Sequence, residues 1–378
     1  MKPTYEEYQP KSILNVHKHV DGWLFDKYSA HPYVGCAFGC EFCYSRDQRY
    51  LAGRDPEAFS RVIRVKTNAP ELLRKELARR PVDVICCGDW QVPAERDHLL
   101  SRRMLEVVLD LGFPLMVLER SPLVTRDLDL LAEINHRVWA CVIFSISTLD
   151  AAVKRAFEPR SPAVAARLRA MEGIAAAGIL TGVALMPVLP AVADDETHLG
   201  EAVAACAHHG AKFVLAGGLT MSGHQAGRVM GVVQRAFPEA LPTYRAFYGT
   251  GSYGPPAAYS AALGLRVRDR CRRHGLADRM PRWLGNGPKA ANRRVAEGLF
   301  ARAYDLELEN ADRRRIWAHR QAAWAIDELN TGIDLVYQGM GRKGLEGIPH
   351  VGPRLAVLVE SLLGQSTPQE VKGDFAQP

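Results

Sequence analysis

From Pro32 onward, short apolar runs alternate with stretches in which apolar residues return every three or four positions. The first pattern fits buried strands and the second fits amphipathic helices. Strands are expected at 62–65, 82–87, 115–118, 138–146, 180–185 and 213–216. Helices are expected between and after them at 71–78, 99–109, 128–134, 163–177 and 197–208. Gly112, Gly178 and Gly210 stand where three of these helices should stop. Repeated β-α units argue for a parallel sheet, in outline an α/β partial (β/α)6 barrel over residues 31–220. Ligands in such folds sit at the C-terminal ends of the strands.

The flanks read differently. Residues 1–30 carry few periodic signals and are expected to form an N-terminal extension covering the barrel. Residues 221–294 begin rich in Gly, Pro, Tyr and Ser, as in Tyr248-Gly-Thr-Gly-Ser-Tyr-Gly-Pro-Pro256, and are expected to supply a linker and connecting helices. An Arg-rich helical domain follows at 295–363, and 364–378 has the composition of a disordered tail.

The length of 378 residues suits a catalytic domain with a smaller appendage. The N-terminus lacks the apolar core of a signal peptide, and no run approaches the roughly 18 apolar residues of a membrane helix, so a cytoplasmic protein without a membrane partner is expected. Eight cysteines, three of them clustered, suit a reducing compartment better than a disulfide framework. The net charge of +6 is uneven: residues 261–360 hold 18 Lys and Arg against 12 Asp and Glu, and the rest of the chain is balanced. That imbalance points to a polyanionic partner for the C-terminal part.

The most informative stretch is Tyr33-Val-Gly-Cys-Ala-Phe-Gly-Cys-Glu-Phe-Cys-Tyr44. Cys36, Cys40 and Cys43 place three soft thiolates on one short loop, a donor set for iron–sulfur, zinc or copper. Gly35 and Gly39 let the loop wrap tightly. Zinc would call for a fourth ligand, and the nearby candidates His17, His19 and His31 are not at ordinary finger spacing. Three cysteines instead leave one iron of a [4Fe–4S] cluster open to a small molecule.

The C-x3-C-x2-C pattern resembles the radical S-adenosylmethionine (SAM) enzymes, in which the open iron chelates SAM and reductive cleavage gives a 5′-deoxyadenosyl radical. The resemblance implies both cofactors and a flavodoxin- or ferredoxin-type electron donor. Gly88-Asp89 matches the strand end that holds the methionine amino group in radical SAM enzymes, and Leu118-Glu-Arg120, Phe144-Ser-Ile-Ser147, Phe157-Glu-Pro-Arg160 and Met186-Pro-Val-Leu-Pro190 follow in order and resemble the spore photoproduct lyase-like branch. That branch breaks the bond joining the two thymines of a DNA photoproduct. By this resemblance Phe42, Asp89, Arg120, Ser145 and Ser147 are cofactor contacts, with Glu158 and Arg160 weaker candidates. Cys86, three residues before Asp89, stands where the lyase keeps its hydrogen-donating cysteine. Cys87 is adjacent, but only one of the two can face the interior of a barrel strand. His31 and Val34 depart from the residues usual in the branch, which bears on the substrate. Another radical SAM substrate, or a non-catalytic DNA-binding cluster sensor, are the alternatives.

Near the C-terminus, Leu345-Glu-Gly-Ile-Pro-His-Val-Gly-Pro-Arg-Leu-Ala356 reads as a helix-hairpin-helix, with Val351 plugging the turn, Gly352 permitting it and Pro353 opening the next helix. Residues 295–363 resemble the N-terminal domain of the DNA polymerase beta family. The resemblance implies single-stranded or damaged DNA as partner, held through Arg315, Arg320, Val351, Gly352 and Arg354. Leu358 stands in place of that domain's lyase lysine, so grip without lyase chemistry is expected there.

Overall fold

A computed structural model of the chain describes residues 3–51 and 53–364. Apart from Gly364, the expected tail lies outside the described residues. The chain divides into two units: residues up to His17 together with Asp26–Met280, and Lys18–Phe25 together with residues from Pro281 onward.

The first unit holds ten strands: β1 Thr4–Tyr8, β2 Asn15–Val16, β3 Tyr28–Ala30, β4 Tyr33–Val34, β5 Val62–Lys66, β6 Ile85–Cys87, β7 Leu115–Glu119, β8 Ala140–Ser145, β9 Leu180–Val188 and β10 Phe213–Gly218. Its main sheet runs β10-β9-β8-β7-β6-β3-β2. The six strands from β3 to β10 in that order are parallel, and β2 is an antiparallel edge. Helices Ala69–Leu77, Leu100–Leu111, Leu128–Arg137, Val164–Ala176 and Glu196–His208 separate the strands. Gly112, Gly178 and Gly210 follow three of them with φ of 69°, 75° and 84°, the left-handed stop that glycine adopts without strain.

The first barrel strand is not the expected one. Residues 62–65 fall in β5, the middle of a separate three-stranded sheet β1-β5-β4, and Tyr28–Ala30 opens the barrel instead. Three residues are too few to show an alternation, so β3 was hidden within the supposed extension. Residues 1–30 therefore supply β1, β2 and β3, while Lys18–Phe25 belong to the second unit. The domain boundary also moves. Helix Ala257–Arg273 packs on β10 within the first unit. Three of its arginines are engaged there: Arg266 donates to Asp194 O at 2.7 Å, Arg268 pairs with Asp278 at 2.6 Å, and Arg270 pairs with Glu196, while Arg272 and Arg273 are exposed.

Alternation divides each barrel strand into two faces. Tyr28, Ala30, Ile85, Cys87, Leu115, Val117, Ala140, Val142 and Phe144 join the main buried core with residues of the surrounding helices. The register places Ser29 beside Cys86, Cys86 beside Met116 and Met116 beside Cys141, so these four form one lateral row on the other face, which lines the barrel interior.

The second unit consists of helices Lys289–Leu308, Arg313–Asp327, Ile333–Glu346 and Pro353–Gly364, joined by the strap Lys18–Phe25. Val20 and Phe25 of the strap are buried. Trp324 stacks on His19 at 4.9 Å and donates its indole N–H to Val20 O at 2.7 Å, so this aromatic packs within the unit. Buried Asn292 accepts from Ile333 N at 2.7 Å and donates to Leu329 O and Thr331 O, fixing the start of the third helix. Between the last two helices Ile348 and Val351 are buried, while Gly352 and Arg354 are exposed. His350 takes φ +65°, a conformation that suits glycine better. Arg315 is exposed, whereas Arg320 is held in an ion pair with Glu307.

Candidate active site

The cysteine loop begins where β4 ends. Tyr33 and Val34 pair with Val65 and Arg64 of β5, and Cys36 N donates to Phe59 O at 3.2 Å. Gly35 has φ +111°, and a Cβ there would meet Phe59 O at 2.7 Å and Val62 O at 3.2 Å. Backbone oxygens cannot step aside as a flexible side chain can. Gly35→Ala is therefore expected to destabilise the protein by about 2–3 kcal/mol and to lower iron loading, measured by urea unfolding and iron content. An unchanged midpoint would count against a pinned loop. At Gly39 (φ +59°) the Arg160 guanidinium occupies the Cβ position, which gives Arg160 a packing role against the loop.

Cys40 is buried, Cys36 and Cys43 are partly exposed, and none is in a disulfide. Burial pushes the Cys40 thiol up to about 11 although Arg120 draws it down. Burial raises Cys36 further, with Cys40 and Cys43 adding to the effect. Thiols in this state become thiolates when metal displaces their protons. Among the described residues no three His, Cys, Asp or Glu converge on a point that one ion could fill. The three histidines considered for zinc are engaged elsewhere: His17 with Ser29, His19 with Glu328, and His31 with Asp89.

Arg120, from the end of β7, ties the loop to the barrel. Its guanidinium donates to Cys40 Sγ at 3.4 Å and Ser145 Oγ at 2.5 Å, and pairs with Glu158 Oε1 at 3.0 Å. It also lies 5.4 Å from the Phe42 ring centre. Glu158 is gripped on its other oxygen by fully buried Arg167 at 2.6 Å, so its partners are Arg120 and Arg167. Phe42 is buried, stacked near Phe157 at 6.4 Å, and its carbonyl accepts from Gln225 at 2.5 Å. Ser147 is buried and donates to Met186 O at 3.3 Å. Phe42 and Ser147 thus serve as supports of the loop and sheet in this arrangement, while Arg120 and Ser145 meet directly beside the thiols.

Asp89 follows β6 through Gly88, whose φ is +91°. Its carboxylate stands 3.4 Å from His31 Nδ1 and accepts from Gln91 Nε2 at 3.3 Å. Cys36 Sγ in turn donates to Gln91 Oε1 at 3.6 Å. The His31 departure is therefore coupled to Asp89, a candidate cofactor contact. Cys86 and Cys87 separate as strand alternation requires: Cys87 is in the core and Cys86 is partly exposed on the interior face.

Three residues near the site escaped the sequence reading. Tyr44 is 56% exposed, feels the Cys43 and Cys86 thiols, and stands edge-on to Tyr50 at 5.5 Å. Its place directly after Cys43 was the available signal. Gln91 had no signal beyond being two residues from Asp89. Buried Glu119 accepts from the backbone N–H groups of Trp90 at 2.7 Å, Arg120 at 2.5 Å and Ser121 at 2.8 Å, clamping the ends of β6 and β7 together.

Burial lifts the Glu119 carboxyl from its ordinary 4.5 to about 7, against the pull of those N–H groups. The folded chain then keeps a proton that the unfolded chain releases. This stabilisation is fully present below about pH 4.5 and is lost as pH rises through 7, on the order of 2–3 kcal/mol. Urea midpoints should fall between pH 5.5 and pH 8, and Glu119→Gln should flatten that fall. Equal slopes for the two proteins would reject the clamp's titration.

The parallel barrel strands, the loop with three free thiols and the buried arginine donating to one of them make up the candidate site. Residues 31–200 match the Radical SAM superfamily, so the chain carries a radical SAM domain. Its cofactors are a [4Fe–4S] cluster and SAM, and the donor set fits them: Cys36, Cys40 and Cys43 would hold the cluster, Arg120 and Ser145 meet beside Cys40, and Asp89 is linked to Cys36 through Gln91. An uncharacterized protein of Mycobacterium tuberculosis is 33% identical over 281 residues, covering 72% of this chain and 82% of its own. Another, from Methanocaldococcus jannaschii, is 28% identical over 177 residues, 46% of this chain and 65% of its own. A spore photoproduct lyase mutant superposes with a TM-score of 0.54 at 17% identity, over 72% of this chain and 81% of that one. The lyase with bound AdoMet and dinucleoside spore photoproduct gives 0.53 at 16% identity, over 72% and 80%. The likeness is one of fold. Among the described residues no helix is long and apolar enough to cross a membrane.

Proposed function

We propose that this radical SAM enzyme repairs a thymine photoproduct in DNA by breaking the carbon–carbon bond between the two thymines, in the manner of spore photoproduct lyase. What supports the reading is Cys86: of two adjacent cysteines it is the one outside the core, and by the resemblance it stands where the lyase keeps its hydrogen donor. Bound cluster and SAM would supply a 5′-deoxyadenosyl radical able to take hydrogen from an unactivated carbon. Arg120 and Ser145 provide donors for the carboxylate and polar groups of SAM, and Asp89 an acceptor for its amino group. Cys86 then gives its S–H hydrogen atom to the thymine radical left after the bond breaks, leaving a thiyl radical on Cys86.

The second unit is proposed to hold DNA in the manner of a helix-hairpin-helix. Backbone N–H groups at Gly352, the start of the Pro353–Gly364 helix and the exposed Arg354 and Arg315 offer phosphate contacts. The lesion, poorly stacked, is cheaper to extrude into a barrel than a normal base. Arg354→Ala and Arg315→Ala are each expected to weaken duplex binding several-fold regardless of sequence and to reduce the salt slope by about one, read by fluorescence anisotropy from low to high salt. Arg320→Ala, whose charge is already paired, should have the smaller effect. Unchanged slopes for Arg354→Ala and Arg315→Ala would remove this unit from DNA binding.

The enzymatic reading is tested by anaerobic turnover of the reconstituted protein with SAM, dithionite and a dinucleotide spore photoproduct. Conversion to thymine dinucleotide supports it. Formation of 5′-deoxyadenosine while the lesion persists overturns the substrate.

A further inference from the structure

Helix Gly223–Ala236, which follows β10, reaches the cysteine loop through a row of polar side chains. Val229, Val232 and Val233 are buried at the three- and four-residue spacing of a packed helix face. They share an apolar cluster with Cys40, Phe42 and Phe157. Gln225 continues the same face one turn earlier and is also buried. An amide in that position is costly unless its hydrogen bonds are made, so packing alone would favour an apolar residue. Its Nε2 donates to Phe42 O at 2.5 Å and to Thr220 O at 2.9 Å, and Phe42 is the residue directly before Cys43.

The next face of the helix carries charge. Arg228 Nη2 pairs with Glu41 Oε2 at 2.6 Å, and its Nη1 pairs with Glu57 Oε1 at 2.7 Å. Glu41 stands between Cys40 and Cys43 in the chain, and both members of the pair are partly buried. His224, one turn before Arg228, also reaches Glu57 at 2.8 Å, and Ser222 donates to Asp47 Oδ2 at 2.5 Å. Buried Arg46 donates to Pro56 O at 2.8 Å and Ser60 Oγ at 3.0 Å, tying the chain just after Cys43 to the stretch that leads into β5.

We infer that helix Gly223–Ala236 is a latch on the cluster loop, in which Gln225 and the Arg228–Glu41 pair position Cys40 and Cys43, and that this pair sets both the retention and the reduction potential of the cluster. Adding one electron to a cluster adds negative charge. A nearby carboxylate opposes that change and a nearby guanidinium favours it, the more strongly where water is excluded. Paired, the two charges offset each other; with one removed, the other acts alone on the potential. These are positioning residues, since the three cysteines remain the ligands. The inference does not depend on which substrate the enzyme takes.

The test uses the full chain with its cluster reconstituted anaerobically. Midpoint potentials are read by redox titration followed by electron paramagnetic resonance, and retention by bleaching of the cluster absorbance in excess EDTA. Glu41→Gln is expected to raise the midpoint potential and Arg228→Gln to lower it. Each should bleach about tenfold faster than wild type, and the double variant no faster than either single, because both remove the same contact. Arg228→Lys keeps the charge and should leave the potential near that of wild type. Arg235→Gln, which removes an exposed charge near the end of the same helix, should match wild type in both measurements. Glu41→Gln keeps the shape of the side chain and an acceptor for Arg228, so it reports the charge effect even if Arg228→Gln does not fold. Potential shifts of the same sign for Glu41→Gln and Arg228→Gln, an unmoved potential in Glu41→Gln, or bleaching at the wild-type rate overturn the latch.

Discussion

Cys36→Ala is expected to abolish both the charge-transfer absorbance of the cluster and 5′-deoxyadenosine formation, while changing folding stability by less than about 1 kcal/mol. The asymmetry follows from where the thiol sits. Cys36 is partly exposed and its thiol makes a weak hydrogen bond to Gln91, so its removal leaves neither a core cavity nor an unpaired buried charge. With only three protein thiolates on the loop, however, loss of one leaves two irons without protein ligands, and nothing nearby substitutes. Iron content, visible absorbance and product analysis report the first effect, and urea unfolding of the apo-protein the second. A variant that still cleaves SAM would show that the cluster is not held by this loop.

The second large effect separates the adjacent cysteines. Cys86→Ala is expected to reduce thymine dinucleotide formation to a small fraction of wild type while 5′-deoxyadenosine still appears, because the lesion is opened but the resulting radical lacks its hydrogen donor. Cys87→Ala should instead act on stability. Its side chain is 1% exposed within the core, and deleting a small buried apolar group there costs about 1 kcal/mol. Repair should survive. If Cys87→Ala abolished repair and Cys86→Ala preserved it, the assignment of faces would be reversed.

Much of the barrel was legible because strand and helix periods differ, and because glycine marks helix stops at positions 112, 178 and 210. The cysteine loop was legible because three ligands must be close in sequence to share so short a loop. What remained hidden depended on pairing across distance. Tyr28–Ala30 is too short for a period, so only its register against Cys86 reveals it as barrel wall. Glu158 gave no sign that it would bridge Arg120 and Arg167, and Arg160 no sign that it would cover Gly39. Arg266, Arg268 and Arg270 of helix Ala257–Arg273 looked available for a polyanion until Asp194, Asp278 and Glu196 were brought to them. The basic balance of the C-terminal part is thus smaller in effect than the sequence count implies, and the DNA reading rests on the exposed Arg315 and Arg354.

The most direct test of the central claim is anaerobic turnover of a dinucleotide spore photoproduct in D2O, where the Cys86 thiol carries exchanged deuterium. The expected result is thymine dinucleotide one mass unit heavier, containing a single deuterium, with the label lost together with product in Cys86→Ala. Formation of 5′-deoxyadenosine with the lesion intact would contradict the photoproduct reading, and unlabelled repaired product would contradict Cys86 as the donor.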